Sequence, residues 1–133
     1  MKTALFILAG LLALAPVTRA EYTETLRPDA PVRNLRADYG LVSDDAVDQS
    51  AALQRAMDEL SAAGGGKLVL PKGRYSFANV EFKSNVHLFI EAGTVLKPFI
   101  PEGSTKAVNM FHFGTDSLDV ENVSLRGLGG RFT

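Results

Sequence analysis

Apolar residues recur at i, i+3, i+4 and i+7 over Leu53, Ala56, Met57 and Leu60, while Gln54, Arg55, Asp58 and Glu59 fall on the other side. That spacing predicts one amphipathic helix over 49–63, N-capped by Asp48 and stopped by the left-handed conformation open to Gly64. Ahead of it, Arg36-Ala37-Asp38-Tyr39-Gly40 reads as a short extended entry. Behind it, a strand over 68–70 is closed by the turn Pro71-Lys72-Gly73. The pattern then changes period. Short apolar runs over 75–77, 80–82, 86–90, 95–96, 110–113, 118–120 and 123–125, broken by Asn, Gly and Lys-Ser, read as strands. An antiparallel sandwich or jelly roll would share this punctuation, so the period alone leaves the all-β class open.

Two segments are copies of one unit. Ser84-Asn85-Val86-His87-Leu88 is followed by Gly93, and Glu121-Asn122-Val123-Ser124-Leu125 by Gly127. In each, Asn suits a turn, and Val and Leu share one face of a strand. Their separation exceeds a bare solenoid coil, and the polar stretch 98–106 reads as an insertion that accounts for the excess. A solenoid exposes a raw apolar end that needs a cap, and a single amphipathic helix before the first strand suits that task.

Met1-Lys2, an apolar run over 4–15 and the exit Pro16-Val17-Thr18-Arg19-Ala20 have the anatomy of a secretory leader, cleaved after Ala20. The run is too short for a comfortable membrane span. With no cysteine, neither disulfides nor thiolate metal sites are available. A formal net charge of −1 gives no global attraction to nucleic acid or anionic membranes. Residues 21–35 mix charges with Pro28 and Pro31 and read as an extended lead-in; the domain starts at about residue 36.

Candidate chemistry is sparse. Asp44-Asp45 is the one Asp-Asp pair, on a loop ahead of the helix, where adjacent acids solvate the chain or bias the helix start. A glycosidase needs two carboxyls converging across a bond, about 5 Å or 6.5 to 9.5 Å apart, which neighbours on a loop do not supply. Asp48 is spoken for as a cap. His87 and His112 stand singly in strand patterns, without a second ligand or base at a useful spacing. Gly64-Gly65-Gly66-Lys67 has Leu68 where a phosphate loop needs Ser or Thr, and Gly127-Leu128-Gly129-Gly130 opens no helix, so both are turns. Asn122-Val123-Ser124 is formally a glycosylation sequon. No residue of this chain is assigned a catalytic, cofactor-binding or metal-binding role.

Asp38-Tyr39-Gly40, 48–54, 64–75, 84–96 and 122–130 resemble the opening of right-handed parallel β-helix proteins of the pectin lyase-like superfamily, the polygalacturonases among them. Lys83-Ser84-Asn85-Val86-His87-Leu88 and 124–133 are closer still to the iota-carrageenases, which hydrolyse a sulfated algal galactan. The resemblance implies an all-β fold, a right-handed parallel β-helix with an N-terminal capping helix. It divides the chain into leader 1–20, lead-in 21–35, and cap and first coils 36–133. Fewer than three coils fit after the cap, and the pattern stops midway, so the chain reads as the N-terminal portion of a longer protein. The Asn-Thr-Asp, Asp-Asp, Gly-His-Gly and Arg-x-Lys motifs that polygalacturonases carry on later coils have no counterpart here. The implied function is that of a secreted, monomeric glycoside hydrolase acting on an anionic polysaccharide, iota-carrageenan or a galacturonan, with catalysis downstream and this portion inactive alone. A polysaccharide lyase on the same scaffold, with calcium, and a non-catalytic carbohydrate-binding β-helix are the alternatives. Calcium is also compatible with a carrageenase.

Overall fold

The structure, a computed structural model, describes residues 15–16, 23–115 and 118–129. Apart from 15–16, the leader expected over 1–20 lies outside the described residues, as do 130–133. The order is β1 (Val32–Asn34), α1 (Leu35–Tyr39), α2 (Ser50–Ala62), β2 (Gly66–Leu70), β3 (Arg74–Phe77), β4 (Val80–Glu81), β5 (Val86–Glu91), β6 (Val95–Pro98), β7 (Phe111–His112) and β8 (Ser124–Leu128). The strands form three parallel sheets, β1-β2-β5-β8, β3-β6 and β4-β7. After β1 the chain therefore visits the three sheets in one order, β2, β3, β4, and repeats it as β5, β6, β7 before β8 returns beside β5. Parallel ladders exclude the antiparallel sandwich and jelly roll.

The register shows where the second lap is longer. Gly66 pairs with Val86, Arg74 with Val95, Val80 with Phe111 and His87 with Ser124, offsets of 20, 21, 31 and 37 residues. Ten of the extra residues enter between β6 and β7, around the stretch 98–106 read as an insertion. Six more enter between β7 and β8, where a strand over 118–120 was expected. Instead Leu118 makes only an isolated antiparallel bridge to Thr115, its N–H and C=O both bonded there at 3.1 and 3.0 Å. The previous lap turns this corner with Phe82 to Asn85 alone, so 118–120 has no strand beside it.

The Asn-Val-x-Leu units stack in register, Asn85 beside Asn122 and Leu88 opposite Leu125. Both asparagines are left-handed, with φ of 65° and 52°, and the Asn122 amide donates to Asn85 Oδ1 at 3.0 Å. One lap earlier the same corner is Gly65, at φ 102°.

The expected helix is α2, with Leu53, Ala56, Met57 and Leu60 buried. Its end is a Schellman closure: Gly64 N–H bonds Ser61 C=O at 3.0 Å and Gly65 N–H bonds Leu60 C=O at 2.7 Å. Its start corrects the expectation. Asp48 is not the N-cap; Gln49 is, without a side-chain capping bond. Asp48 Oδ1 takes Ser50 N–H and Ser50 Oγ instead. The buried Gln49 amide holds the preceding loop, bonding Val42 N–H, Val42 C=O and Asp44 C=O at 2.7, 2.8 and 3.1 Å. The extended entry at 36–40 is also corrected, since it falls in α1. Asn34 Oδ1 caps it through Arg36 and Ala37 N–H, both at 3.0 Å, Asp38 Oδ2 answers Asn34 N–H at 2.7 Å, and Gly40 ends it at φ 74°. The lead-in carries a strand as well, β1.

Leu53, Met57 and Leu60 join Leu35, Leu68, Leu70, Val86 and Leu88 in one core. A column of rings continues it: Tyr75 stacks on Phe77 at 6.3 Å, Phe77 and Phe82 lie 6.0 and 5.6 Å from Phe111, and Phe82 stacks on Phe113 at 4.3 Å. Inward positions thus hold the laps together and outward positions are left for chemistry.

Candidate functional site

Alternation along the strands fixes which side chains leave the core. On β3 and β6, Tyr75, Phe77 and Leu96 point inward, so Arg74, Ser76 and Lys97 face out. The loop before α2 brings Asp45 onto this face. Its Oδ2 lies 2.8 Å from Arg74 Nε and from the guanidinium end nitrogen, and 3.0 Å from Lys97 Nζ. The hydrogen bond from Lys97, with that from Arg74, holds the Asp45 carboxyl below the usual range, against an opposing contribution from desolvation. A carboxylate held ionised by two cations is a poor general acid. Asp44 Oδ1 takes Ala46 N–H at 3.0 Å, so the two neighbours find different partners. Asp48 is occupied by Ser50, and the three aspartates do not act as a unit.

The outward face of β2, β5 and β8 carries a second cluster. Lys67, His87 and Ser124 form one row, and Val69, Phe89 and Arg126 the next. Lys67 Nζ sits 3.9 Å from the Phe89 ring centroid and Arg126 Cζ 5.7 Å from it, so two cations share one ring. Residues 23–31 run across this face. Arg126 Nε meets Glu24 Oε1 at 2.9 Å, Asn122 Nδ2 donates to Thr25 C=O at 2.9 Å, Arg27 donates to Ala63 C=O at 3.0 Å, and Lys67 N–H bonds Pro31 C=O at 2.9 Å.

Beneath this arm His87 is wholly buried. Ser124 Oγ donates to Glu24 Oε1 at 3.4 Å, which leaves it as acceptor for His87 Nδ1–H at 2.8 Å. Nε2 of the ring, then the unprotonated nitrogen, is buried without a partner. Desolvation lowers the His87 pKa, opposed by the Glu24 charge. A histidine whose folded pKa lies below its unfolded value of about 6.5 costs nothing at higher pH, where both states are neutral. As pH falls below about 6.5, the unfolded chain takes up the proton first, so stability falls. Urea midpoints measured from pH 8 to pH 5 are expected to decline, and His87→Gln to flatten the decline. An equal slope in that variant would remove His87 as its cause.

His112 lies on β7 with Nε2 3.3 Å from Asn79 Oδ1. Among the described residues no three His, Asp or Glu gather as a metal would require. The sequon is committed elsewhere: Asn122 Nδ2, the atom a glycan would occupy, donates to Thr25 C=O and Asn85 Oδ1. Sequence reasoning gave no site role to Glu24, Arg74, Phe89, Lys97 and Arg126, and met Lys67 only within the glycine run set aside as a turn. The usable signal was a basic residue one step from a buried apolar one on a strand, but placing Lys67 near Arg126 needs the offsets of 20 and 37.

A family model described as rhamnogalacturonase A/epimerase, pectate lyase-like, matches residues 32–122. The chain is 43% identical over 103 residues to an iota-carrageenase of Zobellia galactanivorans, covering 75% of this chain and 20% of that protein. It is 34% identical over 131 residues to an iota-carrageenase of Alteromonas macleodii, covering 94% of this chain and 26% of that one. The solved structure of an iota-carrageenase complexed to iota-carrageenan fragments superposes with a TM-score of 0.68 at 32% identity, over 85% of this chain and 26% of that chain. The chain thus spans a fifth to a quarter of the length of these curated relatives. With more than half of its residues inside the family match and its strands stacked in parallel laps, the chain belongs to the rhamnogalacturonase A/epimerase, pectate lyase-like family.

Proposed function

We propose that this chain is the N-terminal portion of a secreted, monomeric glycoside hydrolase that cleaves an anionic polysaccharide, with iota-carrageenan the leading substrate. The 43% identity to an iota-carrageenase over three quarters of the chain carries this reading. On it, the three-sheet laps are the first turns of a right-handed parallel β-helix, with α2 as its cap. The acid and base carboxylates belong to coils beyond Thr133, because hydrolysis needs two carboxyls facing one another across the scissile bond, while Asp44, Asp45 and Asp48 are each turned to other partners. Residues 1–20 act as the leader.

The pectate lyase-like character of the family keeps one second reading, a lyase that abstracts a proton beside a uronate carboxylate with calcium present. Incubation of this chain, and of a version extended through later coils, with iota-carrageenan and polygalacturonate separates the two. Reducing ends without unsaturated-product absorbance are expected from the extended version only, and the exported protein is expected to begin at Glu21. Absorbance that disappears with a calcium chelator would establish the lyase. Turnover by the short chain would move the active site back among the described residues.

A further inference from the structure

Glu24 has an environment unusual for a residue on an arm without regular secondary structure. Its side chain is 9% exposed, and one oxygen receives both the Arg126 guanidinium and the Ser124 hydroxyl. Ser124 is oriented in turn by His87, which is fully buried and neutral. Lys67 and Arg126 flank the Phe89 ring, and of these two cations only Arg126 meets the Glu24 carboxylate. Among the described residues Lys67 forms no ion pair within 4.0 Å. Serine hydroxyl and guanidinium converging on one oxyanion, with an ammonium on the neighbouring ring, make a donor set that suits any compact anion.

We propose that the outward face of β5 and β8 is an anion-binding site for the sulfate ester or carboxylate of an acidic glycan, and that Glu24 occupies it from within the chain. The ligand class rests on the hydrolase reading above; the site itself rests on the contacts of Glu24. Arg126 and Ser124 hold the anion, His87 positions Ser124, and Lys67 supplies the second charge. The arm is the natural competitor. It is held by few bonds, and its displacement returns the Glu24 carboxylate to water and frees the Thr25 carbonyl from Asn122.

The test uses the whole chain, with inorganic sulfate and then a sulfated iota-carrageenan oligosaccharide as probes, against sodium chloride at matched ionic strength. Sulfate is expected to shift the NMR signals of Arg126 Nε–H and the Thr25 amide together, with chloride far less effective. If the arm is docked about nine-tenths of the time, Glu24→Gln is expected to tighten sulfate binding about tenfold. Arg126→Gln added to Glu24→Gln is expected to abolish it. Equal shifts with chloride, or unchanged affinity in Glu24→Gln, would overturn the proposal. Should that variant fail to fold, the wild-type titration decides alone: joint sulfate-specific shifts at Thr25 and Arg126 support the site, and their absence removes it. Arg126-dependent binding without polysaccharide cleavage by the extended version would keep the site and discard the hydrolase reading. Cleavage without Arg126-dependent binding would do the reverse.

Discussion

Leu53→Asp is expected to leave the domain largely unfolded at 25 °C. Leu53 is wholly buried on α2, inside the cluster that joins the helix to Leu35, Leu68 and Leu88. Losing the burial of a leucine costs about 1.5 to 3 kcal/mol, and a carboxylate placed there adds a desolvation penalty or must be protonated. Several kcal/mol is comparable to the whole stability of a small domain, about 5 to 15 kcal/mol. Ala51→Asp supplies the comparison. Ala51 is exposed in the first turn of the same helix, where a negative charge meets the positive end of the dipole. Urea denaturation followed by circular dichroism should therefore show Ala51→Asp unchanged or slightly stabilised. Equal midpoints for the two variants would mean that α2 does not close the core.

Gly65→Ala is expected to cost roughly 3 kcal/mol or more, from left-handed strain plus a collision that the surroundings cannot relieve. At φ 102° a β-carbon would stand 2.5 Å from both Cβ and the carbonyl oxygen of Asn85. The oxygen is backbone, already bonded to Gly66 N–H at 3.0 Å. Gly65 also closes α2 through Leu60, so moving it disturbs the helix end and the first step of the asparagine corner together. Gly40→Ala isolates the strain. Its φ is 74°, with no atom within 4 Å of the added carbon, so about 1 kcal/mol is expected. A similar loss in both variants, by thermal or urea unfolding, would show that contact with Asn85 contributes nothing.

What could be read from the chain follows from the range of each interaction. The α2 stripe and the repeated Asn-Val-x-Leu unit were legible because burial imposes its period locally, and Leu88 and Leu125 do face each other. The glycine stop was legible for the same reason. Asp48 misled because Asp before an amphipathic run is a good cap by type, yet Gln49 is needed to hold the 42–44 loop and sits at the cap position. The helix α1 was overlooked although Asn34, Asp38 and Gly40 bracket it, since five residues hold no full apolar period. The Asp45–Arg74–Lys97 cluster and the Glu24–Ser124–His87 chain were not legible. Charges on strands look like ordinary solvated positions, and Glu24 lies 100 residues from Ser124 in the chain. Only the register brings them together.

The unequal laps have a thermodynamic consequence. Between β3 and β4 the corner is Ala78-Asn79, whereas between β6 and β7 it runs from Phe99 to Met110. Closing a loop six times longer costs only about 1.5 kcal/mol in chain entropy, since each doubling adds about 0.6 kcal/mol. Partial burial of one ring such as Phe111, packed between Phe77 and Phe82, offsets much of that. Corners of this stack can therefore lengthen freely while its walls cannot, because a residue added within a strand would turn every inward side chain after it to the solvent.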